Sequence, residues 1–400
     1  MRKNNLIVGL DIGSAAIKSL AVCPREEGNE LEVLSQVSQP CLGIRRGVVV
    51  DIEKTIQTIN SVLRKTEEES GQKIEEVFVN IGGGHIFSSS SRGTIAVSRA
   101  DQKISKEDID RVVEAAQTFS LPPNREILDV FPKEFIVDGE KDIRQAVGME
   151  GVRLEAEILV LGCFTPYFKN LTKAVLDAGV QIGHITPNPL ASAKSVLTAQ
   201  EKELGVLLLD IGAGTTSFCV FKEGVLLSVG VVPIGSFHIT KDIATGLETD
   251  VETAEKIKLQ FGACFLRGAK KIKIKEVVSG ELLSFSQKKL GQIIDARVEE
   301  IFEQVQKELK KMSSAKLPGG IVVTGGGANL SNIKEFARKS LKMTARLGFP
   351  QGFFPAQKDL QLACVAGLTL IGREMMAEEA ESWFNIVLQF LKKIFKIFVP

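Results

Sequence analysis

The chain has 400 residues, 44% of them hydrophobic, and its 50 lysines and arginines nearly balance 49 aspartates and glutamates, for a formal net charge of +1 at pH 7. That length predicts two or three compact domains with sizeable cores, and the charge balance excludes a global basic field of the kind that holds nucleic acid. Cys23, Cys41, Cys163, Cys219, Cys264 and Cys364 are scattered with no Cys-x-x-Cys pair, and most sit in apolar runs, which favours buried reduced thiols over a disulfide framework.

Met1-Arg-Lys-Asn-Asn5 leads directly into a strand with no signal-peptide cleavage pattern, and a cytoplasmic chain is expected. Val8-Gly-Leu-Asp-Ile-Gly-Ser14 is an apolar run ending in Asp-x-Gly, the pattern of a strand entering a tight turn. Strands are predicted at Ile17–Val22 and Leu31–Val37, a helix from about Ile52 to Glu68, and a strand at Glu75–Ile81. From His85 to Cys163 lies a segment of small-domain length, with Gly93-Thr-Ile-Ala-Val97, a helix from Ser105 to Ser120, the break Leu121-Pro-Pro-Asn124 and a strand at Phe135–Val137. After Gly205 the opening pattern returns as Leu208-Leu-Asp-Ile-Gly-Ala-Gly-Thr-Thr216, within strands at Val206–Leu209, Thr216–Phe221 and Val225–Val231. A third glycine turn follows the run Ile321-Val-Val-Thr-Gly-Gly-Gly-Ala-Asn329. Alternating strands and helices argue for the α/β class with a largely buried sheet.

Glycine lets a backbone approach a phosphate closely, and the N–H groups of the turn then act as donors. An aspartate at the strand end is suited to hydrated Mg²⁺, or else caps the turn. Because the strand–Asp–Gly unit occurs twice, a duplicated domain is implied. Two such loops facing across a cleft, with the third turn for the nucleoside, would make an ATP site. No Gly-x4-Gly-Lys-Ser/Thr pattern occurs, so a P-loop enzyme is not supported. His85, His184 and His238 lack metal-ligand spacing and read as structural.

The three turns in this order resemble the actin/Hsp70/sugar-kinase superfamily: Asp11 to Lys18 is similar to its first phosphate motif, Asp210 to Thr216 to its second, and Thr324 to Asn329 to its adenosine motif. Phe131-Pro-Lys-Glu-Phe-Ile-Val-Asp-Gly139 and Gly148-Met-Glu-Gly-Val-Arg-Leu-Glu-Ala-Glu157 resemble the bacterial cell division protein FtsA family, as do Asn188 to Leu197, Val232 to Leu247, Glu252 to Gly262 and Ala345 to Pro350. The resemblance implies an actin-like fold of two ribonuclease-H-like halves around a nucleotide cleft, with a small domain inserted in the first half and a C-terminal amphipathic helix. Its expected boundaries are 1–84 with 164–204 for the first half, 85–163 for the insert, 205–372 for the second half, 373–382 for a short linker and 383–400 for the helix.

By the same resemblance Asp11 and Asp210 would bind Mg²⁺ through water, and Gly13, Ser14, Gly212, Gly214, Thr215 and Thr216 would cradle the phosphates, with Lys18 reaching one as a point charge. Glu255 and Lys258 share one helix face and would flank the adenosine or form a plain ion pair, while Gly325, Gly326, Gly327 and Asn329 would lie against the α-phosphate and sugar. Asn188 stands where superfamily ATPases place the Glu or Gln that orients water; it is shorter than Gln and no base, so weak or absent turnover is expected. Arg297 matches a basic position near the site for the FtsZ tail, or is an ordinary surface arginine.

On a helix at ~100° per residue, Asn385, Gln389, Lys392, Lys393 and Lys396 fall within an arc of roughly 100°. Trp383, Phe384, Val387, Phe390, Leu391, Ile394, Phe395, Ile397 and Phe398 occupy the rest. Three lysines along one face disfavour a spanning helix and favour one lying in an anionic bilayer surface, with a helix docked on the protein's own core as the alternative. The function implied is an ATP-binding tether that links FtsZ filaments to the cytoplasmic face of the cell membrane at the division site. It would self-assemble into filaments and meet other division proteins through the insert. The rival readings are a nucleotide-binding adaptor like the pilus-assembly protein PilM and a small-molecule kinase of the superfamily.

Overall fold

One strand order is built twice. The computed structural model describes residues 6–25, 28–98, 101–117, 123–311 and 316–378. In the first sheet the order is Gln181–Pro187, Glu76–Ile81, Ile7–Ile12, Ala16–Pro24, Leu31–Pro40, with Phe353–Phe354 added at the edge. In the second it is Ala345–Leu347, Gly320–Thr324, Val206–Ile211, Thr216–Lys222, Val225–Val232. Each sheet is thus an antiparallel meander of three strands, with two parallel strands added beside the first of them.

The central strands explain why both repeats read as continuous apolar runs. All six residues of Ile7–Ile12 are buried, and five of the six in Val206–Ile211, because helices and neighbouring layers cover both faces. The helix of the first half is Ile52–Ser70; Asp51 accepts the Lys54 N–H at its start, and Gly71 at φ 68° ends it with a bond to the Glu67 carbonyl. An aspartate in this place satisfies one of the unpaired N–H groups of the first turn.

The insert is a four-stranded sheet in the order Phe87–Ala96, Arg153–Phe164, Arg125–Val137, Glu140–Ile143, with the helix Lys106–Gln117 packed on it. Its third strand begins ten residues before the expected Phe135. Pro132 hid it: the proline cannot donate to the ladder and sits where the register against Arg153–Phe164 shifts, between Glu157 and Ile158. The insert touches the second half, with Ser88 Oγ donating to the Val229 carbonyl at 3.0 Å and Arg144 pairing with Glu223 at 3.0 Å; Arg144 also pairs with Glu203, just before that half, at 3.5 Å.

Two helices cross between the halves. Asn188–Val196 follows the last strand of the first sheet, and residues 363–378 form a helix after the second. A Cβ on Gly367 would run into the Ala191 carbonyl, and one on Gly9 would come within 2.6 Å of the Val365 carbonyl, so the last helix lies tightly against both partners. The stretch Leu360–Glu378 is apolar and long enough to cross a membrane, yet most of it is buried inside the protein, which makes it a core helix. It continues through the expected linker as far as residue 378: Arg373 donates to the Asn29 carbonyl at 2.7 Å, Glu374 pairs with Lys194 at 2.5 Å, and Met375 and Met376 pack on the cluster of Ile7 and Phe78. The anchor residues from Trp383 to Phe398 lie outside the described residues.

Candidate nucleotide-binding cleft

Asp11 ends the first central strand, and Lys18 stands directly opposite on the next strand, its ammonium 3.0 Å from the carboxylate. Asn80 donates to the other carboxylate oxygen at 2.6 Å, and its own Oδ1 accepts the Ile12 N–H at 2.6 Å. Burial works against the Lys18 charge, but the charge and hydrogen bond of Asp11 outweigh it and raise the lysine above its ordinary pKa. Asp210 occupies the equivalent place in the second half, where the residue opposite is Ser217. Burial pushes its carboxyl up to about 6; Ser192, donating at 2.5 Å, restrains the rise, and the neighbouring charge of Asp11 adds to it. The two carboxyls therefore share one field, and only the first has a lysine of its own.

The turns beyond them are copies. Gly13 N–H donates to the Ala16 carbonyl at 3.2 Å and Gly212 N–H to that of Thr215 at 2.9 Å. They also meet: a Cβ on Gly214 would come within 2.6 Å of Ser14 Oγ. The carbonyls of Gly212 and Ala213 accept from the N–H groups of Ser236 and Phe237, at the start of the helix Ser236–Leu247, at 2.8 and 2.9 Å. Thr216 Oγ1 bonds the Ile234 carbonyl at 2.8 Å. With those acceptors engaged, the N–H groups of Ser14, Ala213 and Gly214 have no hydrogen-bond partner among the described residues.

The third turn closes on the second. Gly325, at φ 85°, lies so near Asp210 that any side chain would strike its carboxylate, and Gly327 abuts Ile211 in the same way. Asn329 Nδ2 bonds back to the Gly326 carbonyl at 3.4 Å within the single turn Gly326–Asn329. Glu255 and Lys258, on the helix Val251–Phe261, are paired at 2.7 Å. Both also bond Thr240, at 2.5 and 2.9 Å, and Lys258 reaches the carbonyl of Ser236 at 3.5 Å, beside the second loop. All three glycine turns and this pair thus converge.

Asn188 opens the helix Asn188–Val196, and its Oδ1 accepts from Asn80 at 3.1 Å, giving a chain from Asp11 through Asn80 to Asn188. Arg297 stands apart on the helix Gln287–Lys311. Its guanidinium is engaged within the chain, bidentate to Asp242 at 2.5 and 2.9 Å and also paired with Glu300.

Sequence reasoning passed over Asn80, Ser192 and Cys364, the last buried and close enough to both aspartates to be affected by their charges. A signal for Asn80 was present. The strand Glu76–Ile81 ends in Asn80-Ile-Gly-Gly-Gly84 and pairs with the first central strand as Gly320–Thr324, ending in Thr324-Gly-Gly-Gly327, pairs with the second. The duplication thus extends to a fourth glycine turn.

A family model described as "Cell division protein FtsA" matches residues 207–367, and one described as "SHS2 domain inserted in FTSA" matches residues 83–161. The cell division protein FtsA of Pseudomonas aeruginosa is 36% identical over 354 residues, covering 88% of this chain and 84% of that protein. Among solved structures, the PilM–PilN type IV pilus biogenesis complex superposes with a TM-score of 0.67 at 18% identity, covering 92% of this chain and 98% of that one. MreB5 of Spiroplasma citri bound to ADP superposes with a TM-score of 0.56 at 15% identity, covering 94% and 99%. These two share the fold, which is actin-like, while the similarity of sequence along nearly the whole chain carries the family: the chain belongs to the bacterial cell division protein FtsA family.

Proposed function

We propose that the chain binds ATP with Mg²⁺ in the cleft between its halves and tethers FtsZ filaments to the cytoplasmic face of the membrane at the division site. The observation that carries the nucleotide reading is the meeting of the two copied Asp-Gly turns at Ser14 and Gly214, with the third glycine turn against Asp210. Loop N–H groups without partners are donors suited to phosphate oxygens, and Lys18 adds a point charge. Mg²⁺ fits the donor set. Among the described residues no three His, Cys, Asp or Glu side chains form a cage, and Mg²⁺ prefers one or two carboxylates completed by water and phosphate. Asp11 and Asp210 would hold it through water, and the metal would neutralise phosphate charge.

Glu255 and Lys258 flank the adenosine side in this reading, and the turn Gly325 to Asn329 receives the sugar and α-phosphate. Asn188 has no basic group and is already bonded to Asn80, so turnover is slow and the bound nucleotide acts mainly on conformation. Family membership supports the tail of FtsZ as partner, filament formation with further copies of the chain, and contact with other division proteins through the insert. The amphipathic pattern of 383–400 supports attachment to anionic lipid. Electron microscopy with ATP on anionic lipid, with and without the last 18 residues, tests the whole: filaments on lipid only for the full chain are expected, and lipid-bound filaments from the truncated chain would overturn the tether.

A further inference from the structure

Between the strand Leu31–Pro40 and the helix Ile52–Ser70 runs a small hairpin, Ile44–Arg45 paired with Val48–Val49. Arg46 and Gly47 form its tip and both have positive φ, 50° and 78°, the backbone of a two-residue type I′ turn. Asparagine, aspartate or glycine suits the first position of such a turn. Arginine does not, and a residue held in that region is a pointer to function.

The tip is wedged where the glycine turns meet. Gly47 N–H donates to Ser14 Oγ at 2.8 Å. A Cβ on Gly47 would come within 2.6 Å of the Gly83 nitrogen, and one on Gly214 within 3.0 Å of the Arg46 Cα. A residue of the first half is thereby set beside the phosphate loop of the second, near the start of the helix Ser236–Leu247. The Arg46 side chain is exposed, and among the described residues no carboxylate pairs with it. A guanidinium carried on a backbone that lies beside Gly214 would join the free N–H groups of Ala213 and Gly214 in a donor set for phosphate oxygens.

Resting on the nucleotide reading of the cleft, we infer that Arg46 holds the terminal phosphate of a nucleoside triphosphate, so that the hairpin distinguishes a triphosphate from a diphosphate. The direction of the cleft supports this assignment. The third turn and the Glu255–Lys258 pair lie on the second half, so a phosphate chain starting there reaches the Ser14–Gly214 seam with its last group. That group is then the one within reach of the hairpin tip. Contact with it would tie the first half to whatever the second half holds.

Calorimetry on the full chain with ATP–Mg²⁺ and with ADP–Mg²⁺ tests the inference. Arg46→Asn is the informative variant because asparagine accepts the left-handed turn while removing the charge; Arg46→Gly repeats the test with a second residue the turn accepts. Both should lose about tenfold in ATP affinity and hold ADP affinity within about twofold, the scale of one charge-assisted hydrogen bond. A wild-type ratio of ATP to ADP affinity in these variants, including an equal loss of both, would overturn the role of Arg46 alone. Wild-type protein that binds neither nucleotide would overturn the cleft reading itself, a separable result.

Discussion

Gly214 of the second half lies against Ser14 of the first, so close that a Cβ added to the glycine would come within 2.6 Å of the serine Oγ. The two glycine turns can therefore approach this closely only because Gly214 carries no side chain. Gly214→Val should hold the halves apart and lower affinity for ATP–Mg²⁺ by more than about tenfold, or 1.4 kcal/mol. Because the seam is outside the main hydrophobic clusters, the melting temperature of the nucleotide-free protein should change little. Adding Ser14→Gly should restore part of the affinity, a coupling that a double-mutant cycle measures.

Asp210 should make nucleotide binding depend on pH. Its carboxyl titrates near 6 in the folded chain because it is buried, well above the ordinary value of 3.8. Between those values the folded state binds more protons than the unfolded one, so this group makes the nucleotide-free protein less stable as pH rises from about 4 to 6. If Asp210 holds the hydrated Mg²⁺, it does so in its ionised form, so affinity for ATP–Mg²⁺ should instead increase from pH 5 to 7.5. Asp210→Asn should flatten the stability profile over that window and, like Asp210→Ala, cost at least about tenfold in affinity at neutral pH. Calorimetric melts and titrations across pH would expose an unchanged slope.

Much of this cleft is legible in the sequence. The strands holding Asp11 and Asp210 are buried on both faces, so they appear as apolar runs, and the turns after them need glycine for close approach. Local chemistry was sufficient there. Asn80 was not singled out because its importance lies in partners 69 and 108 positions away, Asp11 and Asn188, which no local pattern reveals. The same holds for Arg46, whose turn is local but whose neighbour Gly214 belongs to the other half. The strand Arg125–Val137 runs beyond what its sequence suggests, because Pro132 is a breaker by propensity and a register shift accommodates it.

Gly367 should be the most sensitive glycine of the helix crossing. Alanine is the better helix former by about 1 kcal/mol. Its Cβ would nonetheless enter the Ala191 carbonyl, a backbone atom that moves only with its helix. Forcing extra atoms into such a contact costs about 3 kcal/mol, so the balance is net loss. Urea unfolding of Gly367→Ala should show a clearly lower midpoint than wild type; an equal or higher one would mean that the two helices slide apart easily.

Arg297 gives a test with two signs. Its guanidinium is bidentate to Asp242, and the two side chains are 23% and 31% exposed, so an acidic peptide would have to compete with that partner. If the FtsZ tail engages Arg297, Arg297→Ala should weaken peptide binding about tenfold, while Asp242→Asn should strengthen it by releasing the arginine. ATP affinity should be unchanged in both. Fluorescence anisotropy with the labelled tail peptide distinguishes the outcomes, and peptide affinity indifferent to both changes would remove Arg297 from the partner surface.

The tail offers a separation of apolar from electrostatic binding. Its sequence places Phe395 in the middle of the apolar face and Lys392, Lys393 and Lys396 on the other. Burial of apolar surface contributes roughly 25 cal/mol per Å², whereas each lysine near an anionic surface adds at most about 1 kcal/mol and less in salt. Phe395→Glu should therefore abolish co-sedimentation with liposomes even at low ionic strength. Lys392→Ala with Lys393→Ala should weaken it mainly on anionic lipid and hardly at all on neutral lipid. The helix before the tail is held to the core through Arg373 and Glu374, so attachment would keep the first half near the bilayer. A chain ending at Ser382 that still pelleted with vesicles would place the membrane contact elsewhere on the protein.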